Sequence, residues 1–206
     1  MSLYEEKPKA INKEDDKEDD IDSPYSKLSD ILSNLVDYDD SVIYLNGDIT
    51  NDSMVDFMIK VRSIISSRDA KTKDDPINVI INSDGGDVYD MLGLIDYIET
   101  LSVKINTICR GKAFSAAAVI LTHGTGTRMI SKRSSVMFHQ SSSFIGGKMG
   151  DISAYVDNIK TIETTIYDLL ESKTKKDANW WKEMMKTDFF LTADQLVEYG
   201  VVDQII

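Results

Sequence analysis

Apolar and polar residues follow two different rhythms along residues 41–206. Short runs rich in Val and Ile, such as INVIIN at 77–82, are typical of buried strands. Apolar residues spaced three and four apart, as in DVYDMLGLIDYIETL at 87–101, are typical of helices with one buried face. The pattern predicts strands at 41–47, 77–82, 103–109, 127–130 and 135–138, and helices at 52–65, 87–101 and 115–124.

Strand and helix alternate through the first two thirds of this region. Such an order predicts the α/β class, with a mainly parallel sheet and helices on its faces. The segment SAAAVILTHG at 115–124 is apolar on nearly all sides. A helix of this kind has no polar face to present to water, so we expect it to be buried.

The last third of the chain has a different character. Residues 151–171 form one long amphipathic stretch, predicted to be a helix with Asp151 as its N-cap. Its apolar face is long enough to need cover from a partner subunit. In the final helix, LTADQLVEYG, Thr192 and Gln195 have capping-box spacing, and Gly200 stands where a C-terminal cap belongs.

The amino-terminal segment differs in composition from the rest. Residues 1–23 include the charge run NKEDDKEDDID, which has too few apolar residues to offset the entropy of ordering. We expect a disordered acidic tail there, either simply solvated or lying near an entrance or partner site. Residues 24–206 are predicted to form a single domain.

Charge and cysteine content narrow the functional classes. The net charge of -12 disfavours nucleic-acid binding, because an acidic surface repels a phosphate backbone. The single cysteine, Cys109, excludes a disulfide framework within the chain and fits a reducing compartment. No apolar run is long enough to span a bilayer, and the first residues resemble neither a secretory signal nor a transit peptide. We therefore expect a cytoplasmic protein.

The segment INSDGGDV at 81–88 places two glycines between a strand and a helix. Gly85 and Gly86 are expected to form a turn in which the backbone approaches a ligand closely. Their N–H groups could face an anion, although Asp84 and Asp87 argue against phosphate. An ordinary turn between strand and helix is the alternative.

Ser115, in GKAFSAAA, stands where a strand leads into the apolar helix. The N–H groups of Ser115 and Ala116 are expected to lack helical partners there. The serine is either a nucleophile presented at the start of the helix or simply its N-cap.

The chain has two histidines and one acid in a suggestive position. His139 follows an apolar strand, and it is favoured as a base over His123, which lies along the axis of the same helix as Ser115. Asp188 precedes an apolar pair that resembles a strand, and it can orient a histidine, cap a helix or be a surface charge. Each alone is more often structural than catalytic.

Together these residues match the requirements of acyl transfer. Ser115, His139 and Asp188 supply a nucleophile, a base and an orienting carboxylate. The glycine pair supplies backbone donors for an oxyanion, each worth about 3 kcal/mol in the transition state. The serine motif is not G-x-S-x-G, which disfavours an α/β-hydrolase.

Five segments resemble the Clp protease proteolytic subunit (ClpP) family of serine endopeptidases: VIYLNGDI, INSDGGDV, ICRGKAFSAAA, SVMFHQ and DFFLTADQLVEYGVVD. The resemblance implies a crotonase-like α/β fold in which 151–171 is a protruding handle helix. It implies two stacked heptameric rings, usually fed by an AAA+ unfoldase that consumes the ATP. By the same resemblance, the nucleophile is Ser115, the general base is His139, the orienting acid is Asp188, and the oxyanion donors are the N–H groups of Gly86 and Ala116.

An extended peptide is expected to pair with the glycine segment as an added strand. No cofactor or metal is needed for this chemistry. The residues predicted to bind substrate are Gly85, Asp87, Val88, Gln140 and Ser141.

The chain departs from the family at several positions. Ala117 replaces a glycine, Gln140 is not followed by proline, and Thr187 and Phe189 replace arginines beside the acid. Two other functions stay open on the sequence alone: a catalytically silent ring subunit, and an acyl-CoA-processing enzyme of the crotonase fold.

Overall fold

The computed structural model describes residues 41–142 and 145–206. The predicted tail at 1–23 and the predicted start of the domain at residue 24 lie outside these ranges. The strands are β1 (Val42–Ile49), β2 (Ile77–Gly86), β3 (Ile105–Phe114), β4 (Arg128–Ile130), β5 (Ser135–Phe138), β6 (Phe189–Leu191) and β7 (Gln204–Ile205). The helices are α1 (Asn51–Ser67), α2 (Val88–Thr100), α3 (Ala116–Thr122), α4 (Met149–Lys173), α5 (Ala178–Met184) and α6 (Ala193–Glu198).

The strands form one mainly parallel sheet, which confirms the predicted α/β class. Its main path runs β1-β2-β3-β4-β7, and all of these neighbours are parallel. Strand β3 is long enough to pair with two different strands along the same edge. Residues 107–109 of β3 pair with β4, and residues 112–114 pair with β5. Strand β6 then pairs antiparallel with β5, so the ends of β3 and β5 lie near the start of β6.

Helix α3 is buried over its whole length, as its apolar composition predicts. All seven of its residues are buried. The alanines at 116–118 are small enough for this helix to lie close against β2 and β3, with which it makes most of its contacts. The sequence predicted this helix to residue 124, whereas it ends at Thr122.

The glycine segment is the end of a strand, so the predicted turn is wrong. Strand β2 continues through Gly85 and Gly86, which pair with Asp48 and Ile49 of β1. Gly86 has a φ of 153°, and a Cβ on it would lie 2.2 Å from the Ile49 carbonyl oxygen. Only glycine fits such an approach. Because glycine carries no apolar signal, the hydrophobic pattern seemed to end at residue 82.

Helix α4 is longer than predicted, and its predicted cap is wrong. It begins at Met149 after Lys148, whose side chain makes no capping hydrogen bond, and Asp151 lies inside the first turn. A carboxylate there still favours the helix, because the first turn carries the positive end of the dipole. The four buried side chains of α4 all belong to its second half: Ile162, Ile166, Tyr167 and Leu170.

Helix α5 has no counterpart among the predicted elements. Asp177 caps it by accepting a hydrogen bond from the Trp180 N–H. Trp181 is fully buried against Phe138, with ring centroids 4.8 Å apart. With seven residues and one buried position, this helix is too short to show a clear period in the sequence.

The predicted cap of the final helix is confirmed. Thr192 and Gln195 form a reciprocal capping box at the start of α6. Gly200 adopts the left-handed conformation, with φ of 76°, just after the helix. The helix begins at Ala193, because Leu191 belongs to strand β6.

Candidate active site

Ser115 occupies a strained position between β3 and α3. Its φ of 54° and ψ of -123° lie outside the usual regions for a residue with a side chain. Its N–H donates to the carbonyl of Met137 in strand β5 over 2.8 Å, so it has no helical partner, as expected, but it is paired with the sheet. Ser115 occupies the N-cap position of α3, but its side chain makes no capping hydrogen bond, so the hydroxyl does not act as a cap. Such strain persists where the surrounding structure holds the residue in place.

The sheet brings His139 to Ser115. Phe114 pairs with Met137 in the ladder between β3 and β5, and each of the two functional residues follows shortly after. As a result, His139 Nε2 lies 2.9 Å from Ser115 Oγ. A neutral imidazole with its proton on Nδ1 can accept the serine hydroxyl hydrogen at this distance.

Asp188 lies on the other side of the His139 ring from Ser115. It precedes β6, whose Phe189 pairs with Phe138 of β5. Asp188 Oδ1 therefore lies 3.3 Å from His139 Nδ1. The carboxylate side chain is 63% exposed and that of the histidine 29%. The structure thus brings together the three side chains that the sequence selected, in the order nucleophile, imidazole, carboxylate.

The other histidine lies at the far end of α3. His123 is fully buried, and its Nδ1 is 2.9 Å from the Val119 carbonyl oxygen. Its Nε2 has no hydrogen-bond partner. Burial is the main cause that lowers the pKa of His123, which keeps the ring neutral. His123 is therefore a structural residue, and it lies at the opposite end of α3 from Ser115.

Two backbone N–H groups, those of Gly86 and Ala116, belong to residues that line the same cleft as Ser115. Next to Gly86, the Ile49 carbonyl of β1 accepts the N–H of Asp87. The first hydrogen bond within α3 is from Ala118 N to Ser115 O, so the Ala116 N–H has no helical partner. These are the two donors that the resemblance assigns to the oxyanion.

Gly85 explains how these donors come close together. A Cβ on Gly85 would lie 2.8 Å from Ser115 Cβ and 3.1 Å from the Ala116 nitrogen. The end of β2 therefore lies directly against the start of α3, with no room for a side chain. Gly85 supports the site from behind, and it is not among the residues that line the cleft.

A cleft of about 250 Å³ opens beside Ser115 and His139. Asp87, Val88 and Ser141 line it as predicted substrate-binding positions. Gln140 does not line it; its side-chain amide donates to Tyr167 Oη over 3.5 Å. The other lining residues are Gly86, Tyr89, Met91, Ala116, Val119, Ser142, Tyr155, Ile159, Ile166 and Met185.

Several of these lining residues were missed in the sequence. The apolar positions of α4 were interpreted as a surface for a partner subunit, yet Tyr155, Ile159 and Ile166 also form a wall of the cleft. Met185 follows α5, which the sequence did not predict. Tyr89 could have been predicted from the sequence, because it lies three residues after Gly86 and directly follows the segment selected as a functional candidate.

Hydrogen bonds hold the backbone on both sides of the cleft. The Asp87 side chain accepts from the N–H groups of Tyr89 and Asp90, at 2.7 Å and 3.1 Å, and so begins α2. After the histidine, the Ser141 N–H donates to Glu163 of α4 over 3.2 Å.

Within residues 41–142 and 145–206 there is no group of three or more His, Cys, Asp or Glu that could hold a metal ion. Over the same ranges, no helix combines the length and the apolar character needed to cross a membrane.

Comparisons with known proteins agree with this geometry. The family model described as Clp protease matches residues 24–206. The ATP-dependent Clp protease proteolytic subunit 1 of Prochlorococcus marinus (strain MIT 9312) is 30% identical over 181 residues, which cover 87% of this chain and 90% of the relative. The proteolytic subunit 2 of Mycobacterium bovis is 30% identical over 187 residues, which cover 89% of this chain and 81% of the relative. The chain belongs to the Clp protease family of serine-type peptidases.

Proposed function

We propose that the protein is a serine endopeptidase in which Ser115, His139 and Asp188 act as a catalytic triad. The observation that carries this proposal is the 2.9 Å distance between His139 Nε2 and Ser115 Oγ, with Asp188 on the other side of the ring. The histidine accepts the serine proton while the oxygen attacks a peptide carbonyl. Asp188 holds the proton on Nδ1 and stabilises the imidazolium that forms.

The tetrahedral intermediate places negative charge on the former carbonyl oxygen. The N–H groups of Gly86 and Ala116 are proposed to donate to this oxyanion. His139 then returns its proton to the leaving amine, which leaves an acyl-enzyme on Ser115. Water, deprotonated by the same imidazole, hydrolyses the ester and restores the serine. Each proton transfer uses His139, and no metal or cofactor takes part.

The substrates are proposed to be peptides and unfolded proteins. An extended chain can pair with the backbone at Gly85–Gly86 as an added strand, which recognises peptide groups independently of sequence. One side chain of the substrate then enters the cleft, whose interior is formed by the buried apolar residues Met91, Val119 and Met185. A folded protein cannot present such an extended segment.

We also propose that the chain works as a homo-oligomer of two stacked heptameric rings, in the cytoplasm, with an AAA+ unfoldase as partner. The relatives are named ATP-dependent proteolytic subunits, and an unfoldase is the component that would use ATP. The exposed apolar side chains of α4 support assembly, since Met149 is 80% exposed and Tyr155 39%. Sedimentation as a clean monomer at micromolar concentration would contradict the rings.

A fluorophosphonate probe tests the catalytic proposal directly. We expect it to label the wild type, and we expect no labelling of Ser115→Ala and strongly reduced labelling of His139→Ala. His123→Gln serves as the matched histidine control and should be labelled like the wild type. If neither wild type nor variants react, the protein is a silent ring subunit. Turnover of short acyl-CoA without peptide cleavage would indicate a crotonase-type enzyme instead.

A further inference from the structure

The first half of α4 forms a wall of the cleft but is weakly packed. Buried side chains of this helix begin only at Ile162, and Met149 at its start is 80% exposed. Tyr155 and Ile159 from this half nevertheless line the cleft that contains Ser115. The width of the cleft therefore depends on the contacts that this part of the helix makes with the opposite wall.

A hydrogen bond between two side chains connects the wall formed by α4 with the wall formed by α2. Asn158 Nδ2, in the first half of α4, donates to Tyr89 Oη over 2.7 Å. Tyr89 lies in the first turn of α2 and lines the cleft close to Gly86. Its side chain is about half exposed, so this hydrogen bond lies at the rim of the cleft, where water also competes for both groups.

We propose that Tyr89 and Asn158 form a clasp across the mouth of the cleft, and that this clasp determines which substrate side chains enter the pocket. The proposal rests on the peptidase function proposed above and names its specificity. The pocket interior is apolar, so its occupant is an apolar side chain. With the clasp formed, the rim admits Ala or Leu more readily than the broad rings of Phe or Trp.

The clasp discriminates by rate and does not exclude large side chains. An exposed hydrogen bond shifts an equilibrium by roughly two- to tenfold, so the clasp opens without unfolding of α4. When it opens, the weakly packed half of the helix can move away from Tyr89. A large aromatic side chain can then enter the pocket. The free energy needed for its entry includes that of breaking the hydrogen bond between Tyr89 and Asn158.

Four variants separate the clasp from a general structural role. Tyr89→Phe removes one oxygen and keeps the ring, and Asn158→Ala removes the donor. Asn158→Asp is the rescuing variant, because the tyrosine hydroxyl can donate to a carboxylate. Lys160→Ala is the control, since it breaks an ion pair with Asp157 on the same helix without touching the cleft.

The measurement is the rate of inactivation by peptidyl diphenyl phosphonates that carry Ala, Leu, Phe or Trp beside the phosphorus. We expect Tyr89→Phe and Asn158→Ala to raise the Trp-to-Ala rate ratio roughly two- to tenfold. Asn158→Asp and Lys160→Ala should keep the wild-type ratio. The double variant of Tyr89 and Asn158 should equal either single variant, because both remove the same interaction.

Hydrogen exchange of residues 149–161 gives a second, activity-independent result. Amides there should exchange roughly two- to tenfold faster in Tyr89→Phe than in the wild type or Asn158→Asp. Unchanged exchange, or an equal change of the phosphonate rates for all four side chains, would overturn the clasp. If no phosphonate reacts with the wild type, the proposed peptidase function fails, and the specificity role fails with it. Reaction at an unchanged ratio in all variants refutes the clasp alone.

Discussion

Protonation of the buried histidine should make the folded state unstable in mild acid. His123 is fully buried, its Nδ1 contacts the Val119 carbonyl, and its Nε2 has no partner. Burial lowers its pKa, the cations Lys173 and Arg128 add to this effect, and the Val119 carbonyl and Glu99 oppose it. A charged ring at this position would be buried without a counter-ion in contact, so the folded state keeps it neutral.

The sign and size of the effect follow from this lowered pKa. In the unfolded chain His123 titrates near its ordinary value of 6.5. Below that pH the unfolded state binds a proton that the folded state does not, so stability is present above pH 6.5 and lost as the pH falls further. Each pH unit costs at most about 1.4 kcal/mol for one proton, and the step from pH 6.5 to 5.5 costs at most about 1 kcal/mol.

Urea unfolding of wild type and His123→Gln, at one protein concentration and at pH 7.5, 6.5 and 5.5, measures this loss. Glutamine can still donate to the Val119 carbonyl but does not titrate. His139 is the only other histidine in the chain, and it is common to both proteins, so the difference between them reports on His123. We expect the wild type to lose more stability than the variant between pH 6.5 and 5.5, by up to about 1 kcal/mol. Identical pH dependence in the two proteins would refute the reasoning.

Two further predictions concern the triad and the cysteine. Asp188→Asn should lower kcat by about 10²- to 10⁴-fold with little change in the urea midpoint, because the carboxylate orients His139 but is largely exposed; a loss below tenfold in a peptide-cleavage assay would argue against that role. Burial raises the pKa of Cys109 to about 11, which leaves roughly one thiolate in a thousand at pH 8. A disulfide reagent should therefore react with the native protein at least about 100-fold more slowly than with the protein in urea, and equal rates would show that the thiol is accessible.

Much of the fold could be predicted from spacing alone. The strands at 77–82 and 135–138 and the helices at 52–65 and 87–101 have periods that are visible over a few residues, because each side chain's direction follows from its position along the element. The capping box of Thr192 is equally local. Elements without such a period were missed or misread, as with α5 and the two glycines that continue β2.

Only part of the candidate site could be predicted from the sequence. Ser115, His139 and Asp188 could be selected by residue type, by position at element ends and by resemblance to a family. The distances between these three residues could not be predicted, because they depend on the pairing of β5 with both β3 and β6. The hydrogen bond between Tyr89 and Asn158 joins residues 69 positions apart, and no local pattern indicates it.

The sequence by itself determined the alternation of strands and helices, the buried character of α3, the acidic charge and the identity of the residues able to perform acyl transfer. These properties depend on side-chain chemistry and on neighbours a few positions away. Only the tertiary structure decided that Gly86 lies against β1, that the imidazole lies within hydrogen-bond distance of the serine, and that α4 closes one side of the cleft. Such contacts arise from packing between segments that are far apart in the chain. The position of each segment therefore depends on how all the others pack in the core.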